Sequence, residues 1–185
     1  MRPHLDDWLA DPALCVSHRC EAAAEPAELW EAARTVRLAD TRVLGRLVGW
    51  RIPGVAASMS YDELFRASPF AVLHQDEGAL VSGLVGRIWT LRRDYPALSE
   101  PDEFRCWSAR GTARVVFAHW VEPVGSKRAA LVSEARVGVT DREGRLGLAV
   151  VRPLIAASNA LIGSEAMVVA VRRAERGATS RTADS

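Results

Sequence analysis

A chain of 185 residues, 49% hydrophobic and 25% charged, is typical of one globular domain. The 24 basic and 23 acidic residues leave a net charge of +1, which argues against the concentrated basic surface that nucleic-acid binding requires. The 3 cysteines form no C-x-x-C pair, so we expect neither a disulfide framework nor a cysteine-based zinc site.

The N-terminal segment is acidic and interrupted by proline. Residues 1–13 predict a loosely ordered lead-in with Trp8 and Leu9 docked on the domain. This composition is unlike that of a signal peptide, so we expect a cytoplasmic protein. Apolar and polar residues then alternate in the segment LCVSHRCEA, which begins at Leu14 and predicts a half-buried strand.

Two short helices are predicted after this first strand. Pro26 suits a first helical turn, and apolar residues follow it at helical spacing over residues 24–36. Either Asp40 or Thr41 can cap the second helix, which ends before Pro53 because proline disfavours a helical conformation in the preceding residue.

The middle of the chain is predicted to be mostly β-structure. A further short helix at residues 61–67 precedes it, and turn residues such as Asp76 and Gly111 separate the alternating segments. These segments predict two hairpins and a following strand. The predicted strands are residues 70–75, 79–86, 103–109, 113–122 and 128–140.

The last part of the chain predicts one long helix. Asp141 is a good N-cap, and small and apolar residues continue to about Arg173. Pro153 should kink or split this helix, because it lacks an N–H and clashes with the preceding turn. Residues 177–185 predict a disordered tail, which leaves a single domain over residues 14–176.

Several kinds of chemistry are not expected. Charged residues interrupt the most apolar run, residues 146–171, so we predict no membrane span. The sequence contains no phosphate-binding G-x-x-x-x-G-K-[ST] loop, no H-E-x-x-H and no G-x-S-x-G motif. The histidines show no metal-ligand spacing. We therefore expect no metal and no cofactor.

The order of the elements predicts an α+β fold. A curved antiparallel sheet needs one face covered, and one long amphipathic C-terminal helix can cover it. The two short helices after the first strand would close one end. Such a sheet wrapped around a helix tends to leave a cavity, lined mostly by apolar groups with a few polar ones.

Three segments carry a resemblance to a known superfamily. They are Glu25-Pro-Ala-Glu-Leu-Trp30, Gly83-Leu-Val-Gly-Arg-Ile-Trp89, and Ser133-Glu-Ala-Arg-Val137 ahead of Thr140-Asp141. With the element order, they resemble the SRPBCC superfamily over roughly residues 14–176. This is the helix-grip group of START lipid-binding domains, birch-pollen-allergen-like proteins and polyketide aromatase/cyclases. The similarity is nearest to uncharacterised bacterial members.

The resemblance implies a function class but no catalytic residue. It implies binding of an apolar or amphipathic small molecule, sometimes with cyclisation, dehydration or elimination chemistry. The superfamily shares no catalytic residue, because function belongs to the site and not to the fold. In place of the bulky aromatics of relatives, this chain has GRLGLAVV after Asp141. Smaller residues there would enlarge the cavity or make room for a partner chain.

His119 is the first candidate catalytic residue. Strand alternation places it on an apolar face with Phe117 and Val121. An imidazole can accept or donate a proton near neutral pH, as a cyclisation or elimination base must. The alternative is a buried structural histidine with a local hydrogen-bond partner. His74 follows Phe70 and Val72 on another strand, and it would either share the cavity with His119 or be an exposed residue near a turn.

Glu134 and Arg136 lie two apart and therefore on one face of one strand. If that face lines the cavity, Glu134 is a further acid/base candidate and Arg136 an anion clamp beside His119. If it faces outward, the two form charge pairs. Aromatic residues and turn arginines are candidates for ligand contact, although core packing and solvated charge are their alternatives. The predicted ligand-binding residues are Arg136, Trp89, Arg110, Arg51, Trp107 and Phe117.

The prediction is a bacterial biosynthetic enzyme of cyclase, dehydratase or elimination type. Heavy use of Ala, Arg, Val and Gly indicates a high-GC bacterial genome. The expected partner is a small apolar or amphipathic molecule, either free or linked to a carrier protein. One alternative is a non-catalytic carrier, sensor or chaperone for a hydrophobic ligand. Another is an interaction subunit, in a homodimer or a larger biosynthetic complex.

Overall fold

The computed structural model describes residues 2–52, 54–90, 92, 95–162 and 164–183, without the side chains of 51, 154, 156–162 and 181–183. The strands are β1 (Leu14–Ala22), β2 (Ala71–Asp76), β3 (Ala79–Gly86), β4 (Ala113–Gly125) and β5 (Arg128–Val139). The helices are α1 (Asp6–Leu9), α2 (Pro26–Arg34), α3 (Leu44–Arg51), α4 (Tyr61–Arg66), α5 (Pro101–Cys106), α6 (Arg142–Ile162) and α7 (Glu165–Ala183). A 3₁₀ turn spans Leu38–Asp40.

The strands form one antiparallel sheet in the order β1-β5-β4-β3-β2. Strands β2 to β5 pair in the order of the sequence, and β1 forms the edge of the sheet beside β5. Helix α7 packs on α2 and β1, so the sheet curves around the C-terminal part of the chain. The predicted α+β helix-grip fold, with short helices between the first and second strands, is confirmed.

The two faces of the sheet have separate hydrophobic cores. We call the side covered by α2, α4 and α7 the grip face; it carries Leu80, His119 and Leu131. The opposite side, the outer face, carries Val116, Trp120 and neighbours and is covered by α1 and α5. Because both faces are buried, β3 is apolar along most of its length and shows little alternation.

Local signals explain how α4 is positioned. Ser60 accepts a hydrogen bond from the Glu63 backbone N–H at 3.1 Å, and Glu63 accepts one from the Ser60 N–H at 2.7 Å. This capping box fixes the first turn. Tyr61 and Phe65 are four residues apart and therefore project from one side of the helix, toward the grip face.

Three predicted elements differ in the structure. Residues 101–106 form α5 and not part of a strand, because Pro101 at the first turn and the acidic Asp102 and Glu103 favour a helix start. The C-terminal helix is two helices, since α6 continues through Pro153, which faces solvent, and ends at Ile162. Helix α7 then includes residues 177–183, which were predicted to be a disordered tail.

In the segment GRLGLAVV, the space beside Gly147 is occupied, whereas the predicted room for a partner chain stays a prediction. A Cβ atom added to Gly147 would lie 2.3 Å from the Trp89 ring, so the indole rests directly on the backbone of α6 at this glycine. Trp89 therefore fills the space that smaller residues open. None of the helices in the described part of the chain combines the length and the hydrophobicity that a membrane span requires.

Candidate functional site

A small cavity lies between the grip face and the helices α2, α4 and α7. We call it the inner cavity, and its volume is about 30 Å³. That volume holds about one water molecule. The lining is mostly apolar, with few polar side chains. The lining residues are Trp30, Ala33, Arg34, Tyr61, Asp62, Phe65, Leu80, His119, Leu131, Ser133, Ala166 and Met167.

A larger polar pocket adjoins the inner cavity. This vestibule has a volume of about 390 Å³. Arg34 and Asp62 line both spaces, so this pair of side chains forms the boundary between them. The vestibule is lined by Glu31, Arg34, Thr35, Arg37, Ser58, Ser60, Asp62 and Glu63.

His119 lies in the wall of the inner cavity within an aromatic cluster. Its ring centroid is 4.7 Å from that of Phe65 and 5.2 Å from that of Tyr61. The residue is 8% exposed. In the part of the chain that the structure describes, its Nε2 atom is buried and has no hydrogen-bond partner. A buried polar atom without a partner is costly, so it suggests a site for a bound group.

Burial controls the protonation of the site. It lowers the pKa of His119 to about 4, although the nearby Asp62 carboxylate partly opposes this shift. His119 is therefore neutral at pH 7, with one ring nitrogen donating and the other accepting. Burial also raises the pKa of Tyr61 to about 12, so its hydroxyl keeps its proton.

Asp62 is held mainly by Arg66. The Arg66 guanidinium donates two hydrogen bonds to the carboxylate, at 2.5 and 3.0 Å, in a bidentate arrangement. Arg66 also donates to the Gln75 side chain at 2.6 Å, which ties α4 to β2. Arg34 approaches Asp62 less closely, with its Nε atom 3.4 Å from the carboxylate.

His74 does not share the cavity with His119. A bulge between Val72 and His74 shifts the alternation of β2, and His74 pairs with Val81, an outer-face residue. Its side chain is 49% exposed and lies 3.8 Å from the Asp76 carboxylate. The prediction that both histidines line one cavity is therefore wrong, and His74 is the exposed residue of the alternative interpretation.

Glu134 and Arg136 lie on the outer face, so the prediction that they adjoin His119 is wrong. Their side chains are 7% and 11% exposed and joined by a hydrogen bond of 2.6 Å. Arg136 also donates to Asp6 at 2.6 Å and to the Leu9 carbonyl at 2.9 Å. Glu134 and Arg136 therefore form a charge pair that faces away from the cavity, as predicted for the case in which their face of the strand points outward. The N-terminal segment covers this pair, so it is buried.

The predicted ligand-binding residues are dispersed. Phe117 belongs to the aromatic cluster of His119, 5.3 Å from the Phe65 ring, but does not line the inner cavity. Trp89 lies against Gly147, and Trp107 donates to Thr112 on the outer-face side. Arg110 is exposed before β4. The Arg51 side chain falls outside the described residues.

The sequence interpretation missed most of the cavity lining. Tyr61 and Asp62 come from α4, which was predicted as a helix without any functional residue. The available signal was the spacing of Tyr61 and Phe65, which puts two aromatics on one helical side. Nothing in the local sequence shows that this side meets His119, because that contact arises from tertiary packing.

Comparison with known proteins identifies no family. No family model matches the chain. No curated protein sequence matches it either. A solved Thermus thermophilus protein is similar in structure with 10% identity and a TM-score of 0.37, covering 89% of this chain and 99% of that one. The Zhui aromatase/cyclase of a Streptomyces species has 14% identity and a TM-score of 0.37, covering 88% and 94%. Such values show no family or activity for this chain.

Proposed function

We propose that this chain binds a small, partly apolar molecule in the inner cavity and contacts it through His119. The observation that carries the proposal is the buried Nε2 atom of His119, which has no hydrogen-bond partner in the described structure and belongs to a residue that lines a mostly apolar pocket. A ligand hydroxyl or carbonyl would supply the missing hydrogen bond. The surrounding aromatic rings would cover the ligand's apolar part.

Binding requires the cavity to widen. Ligand pockets usually measure about 300–1,000 Å³, whereas the inner cavity holds about 30 Å³ and the vestibule about 390 Å³. Met167 lines the inner cavity, and its unbranched side chain adapts easily to a new shape. Separation of Arg34 from Asp62 would join the two spaces.

We propose further that the bound molecule is the substrate of a cofactor-independent bacterial biosynthetic enzyme of cyclase, dehydratase or elimination type. For dehydration, Nε2 of neutral His119 removes a proton from the carbon beside a substrate carbonyl. The resulting imidazolium returns that proton to the departing hydroxyl oxygen, so water leaves and a carbon–carbon double bond forms. The nearby Asp62 carboxylate stabilises the charged imidazole during the step.

A neutral fluorescent probe tests binding directly. N-phenyl-1-naphthylamine becomes brighter in apolar surroundings and carries no charge. We expect the wild-type protein to bind it and Ala33→Phe, which places a ring in the cavity lining, to weaken binding at least tenfold. Ala32→Phe is the matched control, because Ala32 is a half-buried neighbour on α2 that does not line the cavity. Equal binding by both variants would contradict the proposal.

A non-catalytic carrier is the second candidate function. The low pKa of His119, about 4, makes its imidazole a weak base, and general bases act best near the working pH. His119→Gln separates the two functions. An enzyme would lose the dehydration of an alkyl β-hydroxy ketone, followed by enone absorbance, while it still binds the neutral probe. If the protein is a carrier, neither the wild type nor His119→Gln would catalyse the dehydration.

A further inference from the structure

We infer that Arg34 binds the carboxylate of an amphipathic ligand whose apolar chain enters the inner cavity. This inference rests on the proposed function and adds the chemical class of the ligand. Arg34 lines both the vestibule and the inner cavity. It is therefore positioned to bind a carboxylate at one end of a ligand whose hydroxyl or carbonyl, farther along the chain, contacts His119.

Among the residues that the structure describes, the hydrogen-bonding capacity of Arg34 is largely unused. Its NH1 atom lies 3.6 Å from Glu31 and its Nε atom 3.4 Å from Asp62, both longer than the usual N–H···O range of about 2.7–3.2 Å. A guanidinium has five N–H donors in a planar fork that fits a carboxylate with two parallel hydrogen bonds. The Arg34 side chain is 43% exposed, so a ligand can reach it from the vestibule.

The neighbouring carboxylates do not prevent this role. Asp62 already accepts two hydrogen bonds from Arg66, so it does not depend on Arg34 for its charge compensation. Glu63 is engaged with the Ser60 backbone, which lowers its pKa. Glu31 is 66% exposed and can turn into solvent when a ligand carboxylate takes its place.

Arg34 would thus select ligands that carry a carboxylate, because it lies between the vestibule and the inner cavity. A carboxylate on its guanidinium directs the attached chain past Asp62 and toward His119, because both residues line the same cavity. The apolar chain would contact Trp30 and Met167 on the way. Neutral molecules of the same shape would reach the cavity without this second point of attachment.

Titration calorimetry with octanoate and octan-1-ol tests the inference, since the two probes share a chain and differ in charge. The wild-type protein should bind octanoate about tenfold more tightly than octan-1-ol, a difference of ~1.4 kcal/mol. Arg34→Gln should remove this preference, because octanoate loses far more affinity than octan-1-ol, whose continued binding shows that the variant is folded. Glu31→Gln should strengthen octanoate binding, because it removes the competing carboxylate.

Arg37→Gln is the control, because Arg37 lines the vestibule but not the inner cavity. It should reduce octanoate binding less than Arg34→Gln does. Equal binding of the two probes by the wild type, or an equal effect of both arginine variants, would overturn the inference while the proposed cavity function stands. Failure of both probes to bind would overturn the proposed function together with the inference.

Discussion

Two buried polar sites on opposite faces of the sheet have opposite surroundings. On the outer face, the Glu134 and Arg136 side chains are 7% and 11% exposed, and Asp6 and the Leu9 carbonyl accept further hydrogen bonds from Arg136. On the grip face, His119 is equally buried, and its Nε2 atom lacks a partner among the described residues. A satisfied buried network stabilises a fold, whereas an unsatisfied atom beside a cavity suggests a place for a ligand.

The difference also separates two kinds of candidate residue. Glu134 and His119 were both proposed as acid/base groups, and their burial alone does not distinguish them. Their surroundings do, because Glu134 has permanent cationic partners in Arg136 and Arg2. His119 instead has aromatic neighbours and a cavity. We therefore propose a structural role for the outer-face residues and ligand binding for the grip face.

Of the substitutions proposed, removal of the Glu134 charge from the outer face should lower the free energy of unfolding most. Glu134→Ala removes one of the two carboxylates that lie 2.6 Å from Arg136, and loss of a hydrogen bond to a charged group costs about 1.5–3 kcal/mol. We expect the free energy of unfolding, measured by urea denaturation, to fall by about that amount. Glu77→Ala in the turn between β2 and β3, an exposed carboxylate, is the control and should change it far less. A loss below ~1 kcal/mol for Glu134→Ala would show that the outer-face network is not structural.

The grip face should respond to pH. His119 has a pKa of about 4 in the folded protein against 6.5 when unperturbed, so the unfolded chain binds more protons between these values. Stability is then complete above about pH 6.5 and decreases as the pH falls toward 4, by about 3 kcal/mol in all. Denaturant unfolding at several pH values should show this decrease.

His119→Phe should abolish that part of the pH dependence, because phenylalanine does not titrate. His74→Ala should retain it, since His74 is exposed on the other face. The carboxylates with lowered pKa, such as Asp40 and Asp141, lose their contribution at more acidic pH and affect all variants alike. Identical pH profiles for wild type and His119→Phe would show that His119 is not buried in a neutral form.

The smallest change in the free energy of unfolding is expected for His119→Phe at neutral pH. His119→Phe removes an unpartnered buried polar atom and adds a ring beside Phe65 and Tyr61. We expect the free energy of unfolding at pH 7.5 to rise by about 1 kcal/mol. A clear loss of stability would instead identify His119 as a structural residue with a native partner.

Sequence reasoning reached the fold more completely than the site. Periodicity and turn residues located every strand that the structure describes, and the alternation in β4 placed His119 on its apolar face. His74 was assigned to the wrong face of the sheet, because a one-residue bulge in β2 turns the side chains after it to the opposite face. The local sequence carries no recognisable signal for this bulge. Arg34 and Asp62 were missed because their importance comes from the meeting of α2 with α4.

The most direct test of the account is nitrogen-15 NMR of the histidine rings during titration with octan-1-ol. A ligand hydroxyl that reaches the inner cavity should shift the Nε2 resonance of His119 and leave both ring nitrogens of His74 unchanged. This result would place the ligand against the unpartnered atom. If calorimetry shows that octan-1-ol binds but the Nε2 resonance of His119 does not shift, the proposed site is contradicted, because the molecule then occupies some other part of the protein.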